Sequence, residues 1–207
     1  MASGRVSGTE GYAEEAEALI EQYEKLRFAD VHRAVLQLTP TTPGRVLDIG
    51  SGTGRDAAAF AAMGHAVVAV GPTAELRTRA AGLHPSPRIE WLDDGLPNLT
   101  LLTRRGESFD VVMLTAVWMH LDQQQRQQAM PRVASLVRRG GVMIFTLRRG
   151  PVPVGRRMFG VSAEETIHLA EAEGLSLALK LENQPGSFGR TDVSWTRLAF
   201  SKLGKAV

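Results

Sequence analysis

The segment that decides the fold is VLDIGSGTGRDAAAF, residues 46–60. A short apolar run leads into Gly50, Gly52 and Gly54, and an alanine-rich helical pattern follows them. Glycines between a strand and a helix permit a tight turn and let a ligand approach the backbone, while the helix directs its free N–H groups at that ligand. The segment therefore predicts a ligand-binding turn between a strand and a helix.

The spacing of this turn narrows the class of ligand. Arg55 stands where the GxGxxG fingerprint of dinucleotide-binding proteins has its third glycine, which argues against NAD. No Gly-Lys-Ser/Thr follows, so a P-loop is excluded. Asp48 lies two residues before the first glycine, and a carboxylate there would repel a pyrophosphate. The turn thus favours a ligand that carries an ammonium or sulfonium group.

Outward from this turn, short apolar runs alternate with helical patterns from residue 45 to about residue 149. This alternation predicts βαβ units with a parallel sheet and right-handed crossovers. The end of the chain differs, because LSLALKLEN and SWTRLAFSK are joined by a loop without a helical pattern. Two strands joined in this way are predicted to be antiparallel.

The chain is predicted to form one domain over residues 10–207. Residues 1–9 are small and polar, and we expect them to be a disordered tail. Residues 10–40 read as a helical segment, in which Ala16, Leu19 and Tyr23 recur at helical spacing. The breaker TPTTPG leads into the α/β core, residues 41–207.

The bulk composition sets limits on function. Hydrophobic residues make up 43% and charged residues 22% of the 207 residues, as in a soluble globular domain. There is no cysteine, which excludes disulfides and thiolate metal sites, and no histidines stand at metal-ligand spacing. No apolar run approaches the ~20 residues of a membrane span and no signal peptide is recognisable, so we expect a cytoplasmic protein.

Net charge and residue composition bear on whether the protein binds nucleic acid and on its source organism. The net charge is +2 and the arginine pairs are scattered, so no stripe for nucleic acid is predicted. The preference for alanine and arginine is typical of a GC-rich bacterial genome. The sequence leaves open whether the protein is a monomer or a homodimer.

The motif LDIGSGTG resembles motif I of the class I S-adenosylmethionine-dependent methyltransferases, and the resemblance covers roughly residues 45 to 200. It implies a three-layer αβα sandwich around a seven-stranded, mostly parallel sheet of order 3-2-1-4-5-7-6, with the last strand antiparallel and an N-terminal helical lid. It also implies S-adenosyl-L-methionine as methyl donor, S-adenosyl-L-homocysteine as product, no metal, and a small-molecule acceptor.

The resemblance further implies which residues contact the cofactor. Asp48 would organise the loop and the cofactor's amino group, and Asp93 or Asp94 would face the adenine amino group. Arg27 would pair with the carboxylate. The predicted cofactor residues are Tyr12, Arg27, Asp48, Gly50, Ser51, Gly52, Gly54, Asp56, Gly71, Pro72, Thr73, Asp93, Asp94, Gly95, Leu96, Thr115 and Ala116.

One residue departs from the family pattern. The second strand should end in an acid that holds both ribose hydroxyls, and by alignment of strand ends that position is Gly71. A water could replace the carboxylate, Thr73 or Glu75 could reach the hydroxyls, or the site could be impaired. Losing two charge-assisted hydrogen bonds would weaken binding by ~100-fold or more.

Residues that end the fourth and fifth strands are expected to form the acceptor side. His120 is the candidate general base, because histidine accepts protons near neutral pH. One or two arginines after the fifth strand would select a carboxylate or phosphate on the acceptor. The predicted acceptor residues are Tyr23, Phe28, Trp118, Met119, Arg148, Arg149 and Arg157.

Other functions stay open at this point. The Asp/Asn-Pro-Pro-Tyr/Phe tetrapeptide of methyltransferases that act on DNA bases is missing after the fourth strand. A non-catalytic or impaired module that binds the adenosyl cofactor and acts through a partner is an alternative, which Gly71 supports. A methyltransferase of RNA or protein and a nicotinamide dehydrogenase are further alternatives.

Overall fold

The computed structural model describes residues 6–186 and 188–204, which form one sheet of seven strands between two layers of helices. The strands are β1 (Arg45–Ile49), β2 (Ala66–Val70), β3 (Ile89–Leu92), β4 (Phe109–Thr115), β5 (Val137–Arg149), β6 (Leu175–Pro185) and β7 (Ser194–Lys202). The helices are α1 (Ala16–Tyr23), α2 (Phe28–His32), α3 (Arg55–Ala62), α4 (Ala74–Leu83), α5 (Thr100–Arg105), α6 (Gln123–Leu136) and α7 (Ala163–Ala172). Short 3-10 turns lie at Leu36–Leu38 and Trp118–His120. Within these ranges, no helix combines the length and the apolar character that crossing a membrane requires.

The strand order is β3-β2-β1-β4-β5-β7-β6, and β7 runs antiparallel to both of its neighbours. Both the predicted order and the antiparallel end of the sheet are confirmed. The pairs on the other side of β5 are all parallel, because helices α3 to α6 return the chain to the same edge. The carboxyl ends of β1, β2, β4 and β5 therefore meet along one edge of the sheet.

The buried strands supply both layers of the core. Leu47 and Ile49 pack in the layer that contains α6 and α7, whereas Val46 packs in the layer of Phe28 and Phe60. Successive side chains of a strand point to opposite faces. Because both faces are covered, these strands have nearly continuous apolar sequences.

The N-terminal segment is not one continuous helix. Two short helices, α1 and α2, replace it, and Arg27 between them has an extended backbone with ψ 129°. Leu19 of α1 is buried, as are Phe28 and His32 of α2. Because of the break, α1 packs against α4 whereas α2 packs against α3.

The start of the chain also differs from the expectation of a disordered tail over residues 1–9. Residues 6–9 form a turn, and the Gly8 N–H donates to Glu10 Oε2 at 2.8 Å. Gly8 has φ +94°, and a Cβ there would lie 3.0 Å from the Cβ of His120. The turn is therefore packed against the core. Residues 1–5 lie outside the described part of the chain.

Asp94 fixes the start of helix α5. One carboxylate oxygen, Oδ2, accepts hydrogen bonds from the N–H groups of Leu101 and Leu102, at 2.8 and 3.0 Å. The other oxygen accepts the N–H of Gly95 at 2.9 Å. These bonds satisfy amide groups that a helix leaves free at its N-terminus. The structure thus uses Asp94 as a helix cap.

We expect Asp94→Ala to lower the free energy of unfolding by about 1–2 kcal/mol, because free amides at the start of α5 lose their acceptor. Urea denaturation measures this change. Asp93→Ala is the matched control, since the Asp93 side chain is 65% exposed and its ion pair should contribute less than about 1 kcal/mol. Equal urea midpoints for the two variants would contradict the capping role.

Candidate active site

A cavity of about 460 Å³ opens at the edge where the carboxyl ends of β1, β2, β4 and β5 meet. This volume lies in the range of small-molecule sites. The N-terminal segment forms one wall, through residues such as Tyr12, Leu19 and Tyr23. The connection between β6 and β7 contributes another wall, which includes Phe188. The position agrees with the rule that ligands of open α/β sheets bind beyond the strand ends.

The glycine turn after β1 is held rigidly at the floor of this cavity. The N–H groups of Gly50 and Ser51 both donate to the carbonyl oxygen of Val70, each at 2.9 Å. Gly50 has φ +72°, and a Cβ there would lie 2.6 Å from Val117 Cγ2. Gly54 has φ +85°, and a Cβ there would lie 2.5 Å from the Trp91 ring. Both positions therefore require glycine, for backbone conformation and for space.

Two carboxylates are buried beneath the turn, and the protein neutralises one of them. Asp56 Oδ2 lies 2.8 Å from His32 Nε2 and accepts the hydroxyl of Thr115 at 3.0 Å. Its Oδ1 pairs with Arg55 Nη2 at 2.7 Å. Burial alone would raise the pKa of Asp56, but His32 and Arg55 outweigh it and hold that pKa well below its usual range. Asp56 is thus a fixed negative charge.

Asp48 is the second carboxylate, and it is only 1% exposed. Burial raises the pKa of Asp48 well above its usual range, and the charge of Asp56 raises it further. Its Oδ2 has no hydrogen-bond partner among the described residues, and the residue lines the cavity. A cation bound in the cavity would favour the ionised form and complete the bonds of Asp48. The floor therefore suits an ammonium group.

The end of β2 carries a guanidinium where the family pattern has an acid. Arg77 Nη1 donates to the carbonyl oxygen of Gly71 at 2.6 Å, and Arg77 Nη2 pairs with Asp93 Oδ2 at 3.0 Å. Gly71 has no left-handed φ, and a Cβ there would meet Ser51 Oγ at an ordinary 3.6 Å. Neither the backbone nor the surroundings therefore require glycine at this position.

Thr73, just beyond Gly71, is better placed than Glu75 to compensate for the missing acid. Thr73 lines the cavity, whereas Glu75 is exposed in the first turn of α4. Thr73 is the N-cap residue of α4, but its side chain makes no capping hydrogen bond. Its hydroxyl is thus available to a ligand at the cavity wall.

His120 presents one ring nitrogen to the cavity wall in a defined state. Its Nδ1 lies 2.8 Å from the carbonyl oxygen of Arg157, which can only accept, so we assign the ring proton to Nδ1. Nε2 then accepts the hydroxyl of Tyr12 at 3.0 Å. Burial lowers the pKa of His120 and raises that of Tyr12, so both groups are neutral near pH 7. His120 is thus a neutral imidazole whose Nε2 carries no proton and can accept one.

Ion pairs and hydrogen bonds hold the N-terminal segment over the cavity. Arg156 pairs with Glu15 at 2.6 Å, and its guanidinium lies 4.3 Å from the centre of the Tyr12 ring. The hydroxyl of Thr53, in the glycine turn, donates to Glu24 at 2.5 Å. The N-terminal segment is thus held against the loop after β5, through Arg156, and against the glycine turn, through Thr53.

The structure brings most of the predicted site residues to the cavity wall. Those from the cofactor set are Tyr12, Asp48, Gly50, Ser51, Gly52, Asp56, Gly71, Pro72, Thr73, Gly95, Leu96, Thr115 and Ala116. Those from the acceptor set are Tyr23, Met119, His120 and Arg148.

Some predicted cofactor residues do not line the cavity. Arg27 is 82% exposed at the side chain and pairs with Asp30 on the surface. Asp93 is exposed and held by Arg77, and Asp94 caps α5. Gly54 instead allows the close approach of Trp91 to the glycine turn.

Some predicted acceptor residues also lie elsewhere. Phe28 packs edge-on against Phe60 in the core, and Trp118 is fully buried against Phe145. Arg149 is exposed, because the alternation of β5 turns it away from the face that Arg148 occupies. The Arg157 side chain pairs with Asp122 at 3.3 Å, and its contribution to the site is the carbonyl oxygen that orients His120.

The sequence analysis missed cavity residues in β7, whereas it expected one or two arginines of the loop after β5 at the acceptor side. Trp195 and Arg197 of β7, and Arg156 in the loop, all line the cavity. The signal for β7 was the alternation of Trp195 and Arg197 at the start of a strand that otherwise reads as core. Among the described residues, no group of three or more metal-ligating side chains is close enough to hold a metal ion.

Comparison with known proteins is consistent with this geometry. Residues 46–141 match the family model described as a methyltransferase domain. A search of curated protein sequences finds no significant match. Among solved structures, the TehB-like S-adenosylmethionine-dependent methyltransferase of Corynebacterium glutamicum is similar at TM-score 0.69 and 19% identity, covering 91% of this chain and 98% of that one.

Two further structures contain ligands. The N-methyltransferase NodS of Bradyrhizobium japonicum, in complex with S-adenosyl-L-homocysteine, is similar at TM-score 0.70 and 17% identity, covering 92% of this chain and 97% of that one. The 1,6-didemethyltoxoflavin-N1-methyltransferase of Burkholderia thailandensis has 1,6-didemethyltoxoflavin and S-adenosylhomocysteine bound. It is similar at TM-score 0.62 and 18% identity, covering 98% of this chain and 93% of that one.

At these identities the structural likeness establishes the fold, and the family model identifies the segment that contains the glycine turn. The strand order and the antiparallel end of the sheet agree with both. Residues 46–141 therefore match a methyltransferase domain, and the chain has the Rossmann-like fold that these S-adenosylmethionine-dependent methyltransferases share.

Proposed function

We propose that the protein transfers a methyl group from S-adenosylmethionine to a small-molecule acceptor bound in the same cavity. The observation that carries this proposal is the buried Oδ2 of Asp48, which has no partner in the described chain and lines a cavity that also reaches His120. A similar structure that contains S-adenosyl-L-homocysteine, and one that also contains a small substrate, support it.

The glycine turn and the adenosyl wall fit an adenosyl sulfonium cofactor. Asp48 would hold the amino group, and the backbone of Gly50, Ser51 and Gly52 would lie beneath the methionine part. Pro72, Thr73, Gly95 and Leu96 would surround the adenosyl part. The acids expected after β2 and β3 do not contribute, because Gly71 has no carboxylate and Asp93 pairs with Arg77 outside the cavity wall.

When bound, the cofactor supplies an electrophilic methyl group on a sulfonium, so the protein has mainly to align the acceptor and exclude water. Tyr12 and Leu19 of the N-terminal segment close one side of the cavity. Met119 lies on the wall beside His120. These side chains would hold an acceptor between the glycine turn and His120.

His120 would take a proton from acceptors that lose one during attack. The Nδ1–H bond to the Arg157 carbonyl orients the ring, and the lowered pKa keeps Nε2 free of a proton. An acceptor that reaches Nε2 would displace the hydroxyl of Tyr12, which occupies that position at 3.0 Å. Tyr12 is thus a positioning residue for the proposed base.

A second candidate is a module that binds the cofactor weakly and acts through a partner without catalysis. Gly71 and the Arg77 guanidinium at the end of β2 favour it, because they remove a family contact to the ribose. Catalysis remains the better supported function, since His120 lines the cavity with an oriented ring and a lowered pKa.

Incubation with S-adenosylmethionine and a panel of amines, phenols and carboxylic acids tests the proposed function. We expect S-adenosylhomocysteine and a methylated product by mass spectrometry. Calorimetric titrations with S-adenosylhomocysteine and with NAD provide the comparison. Binding of the first compound without any product would favour the second candidate, and tighter binding of NAD would contradict both.

We expect Gly71→Glu to tighten the binding of S-adenosylhomocysteine by about tenfold or more, because a carboxylate at the end of β2 gains charge-assisted hydrogen bonds to the ribose diol. Isothermal titration calorimetry gives the dissociation constants. Gly71→Gln is the matched control, since it adds the same length without the charge. Unchanged or weaker binding in Gly71→Glu would refute the placement of the ribose beside residue 71.

We expect His120→Ala to lower kcat by ~10²-fold or more with an acceptor that must lose a proton. The pKa of His120 lies below its ordinary value of 6.5, so the wild-type rate should stay high below pH 6.5 and fall only as the pH drops through that lowered pKa. The variant should lack this acidic limb.

Tyr12→Phe is the control for that experiment. It keeps the ring that packs against Arg156 but removes the hydroxyl from Nε2. We expect its acidic limb to persist. If His120→Ala keeps a near-normal rate, or if it retains the limb, the histidine is a packing residue and not the base.

A further inference from the structure

Six arginines line the cavity, and they differ in how their charges are balanced. Four of them are each paired with a carboxylate at 2.6–3.0 Å; the pairs are Arg55–Asp56, Arg77–Asp93, Arg156–Glu15 and Arg190–Asp192. The other two are Arg148 at the end of β5 and Arg197 in β7. In the described part of the chain, neither of these two has a carboxylate partner.

Arg148 and Arg197 donate hydrogen bonds only to backbone carbonyl groups, which do not neutralise their charges. Arg148 Nη1 donates to the Gly150 carbonyl at a long 3.3 Å, and Arg148 Nη2 is buried with no hydrogen-bond partner. Arg197 donates through Nε and Nη2 to a single acceptor, the Val31 carbonyl, at 3.3 and 3.0 Å. Burial lowers the pKa of both side chains, which is the cost of an unpaired charge.

The strand register places the two arginines side by side. In the antiparallel pair of β5 and β7, Arg148 lies opposite Trp195 and Thr146 lies opposite Arg197. Opposite residues share a face, as do residues two apart along a strand. Arg148 and Arg197 are therefore diagonal neighbours, with Cβ atoms about 7–8 Å apart, and Trp195 adjoins both on the same face.

The groups that surround Arg148 do not supply an anion. Tyr12 and Tyr23 interact with it from the N-terminal segment, and burial raises the pKa of both phenols, which keeps them neutral. From the connection between β6 and β7, Arg190 adds a like charge. Asp192 also lies near, but both of its oxygens bond to Arg190.

We propose that Arg148, with Arg197 and Trp195 beside it, binds an oxyanion on the methyl acceptor, so that the substrate is a small molecule with an apolar body and a carboxylate or phosphate. This inference rests on the proposed function. The planar guanidinium of arginine suits both anions. Met119 and Val193 at the same cavity supply apolar walls for the body. Arg148 thus selects the substrate, while His120 lies at the reacting end.

Binding of matched probe pairs tests the inference. The probes are benzoate with benzamide, anthranilate with anthranilamide, and phenyl phosphate with phenol, each titrated in the presence of S-adenosylhomocysteine and followed by ligand-observed NMR. We expect at least one anion to bind about tenfold or more tightly than its neutral partner. Comparison of the carboxylate pairs with the phosphate pair identifies which anion the site prefers.

The variants Arg148→Met and Arg148→Lys locate the effect. Arg148→Met should abolish the preference for the anion, whereas Arg148→Lys, which keeps the charge without the planar fork, should retain part of it. Arg149→Met is the matched control on the exposed face and should behave as wild type. Melting temperatures and S-adenosylhomocysteine titrations show whether each variant is folded.

Three results would overturn the inference. They are equal binding of anions and neutral partners, no anion binding up to ~10 mM, and an anion preference that survives in Arg148→Met. Binding of S-adenosylhomocysteine is measured separately, so these failures are distinguishable from failure of the proposed function. If S-adenosylhomocysteine itself does not bind, the proposed function fails first.

Discussion

Two carboxylates buried under one glycine turn constrain the rest of this molecule. Ionised groups in a protein interior require compensating charge. Asp56 receives it from Arg55, and His32 forms a hydrogen bond with the same carboxylate, which ties helix α2 to the core. Asp48 has no ion-pair partner in the described chain, its Oδ2 accepts no hydrogen bond there, and the residue lines the cavity. The protein thus supplies partners for Asp56 itself, whereas a cationic ligand is suited to be the partner of Asp48.

The need of a buried charge for a partner also distinguishes the region of the cavity near Asp48 from the region near Arg148 and Arg197. At the floor, an unpaired carboxylate suits a cation, whereas at the ends of β5 and β7 two guanidinium groups lack anions. Between them lie apolar side chains and a neutral imidazole. Under the proposed function, an acid in one part of the cavity and guanidinium groups in another would orient a donor and an acceptor relative to each other before any chemistry occurs, which is the main requirement of methyl transfer from a reactive sulfonium.

Position 71 illustrates how a family pattern can change without a change of fold. The backbone there accepts any residue, so glycine is not explained by conformation or by space. Arg77 binds the carbonyl of Gly71 and pairs with Asp93, which does not line the cavity. Under the proposed function, affinity for the cofactor would come from the glycine turn, Thr73 and the apolar residues around the adenosyl part.

The family resemblance of the motif LDIGSGTG supplied the sheet order, whereas the sequence by itself determined the alternation of strands and helices, the glycine turn, the position of Gly71 and most residues at the strand ends. These features depend on local periodicity and on glycines that a short turn requires, so they can be predicted from neighbouring residues. The tertiary structure decided which residues of a strand end face the cavity. Arg148 and Arg149 are adjacent in sequence, and the pleat of β5 separates them; Arg197 reaches the site through its pairing with Thr146. The tertiary structure also decided that Asp94 caps a helix and that Tyr12 forms a hydrogen bond with His120. A local sequence pattern cannot predict these contacts, because they join residues that are separated in sequence.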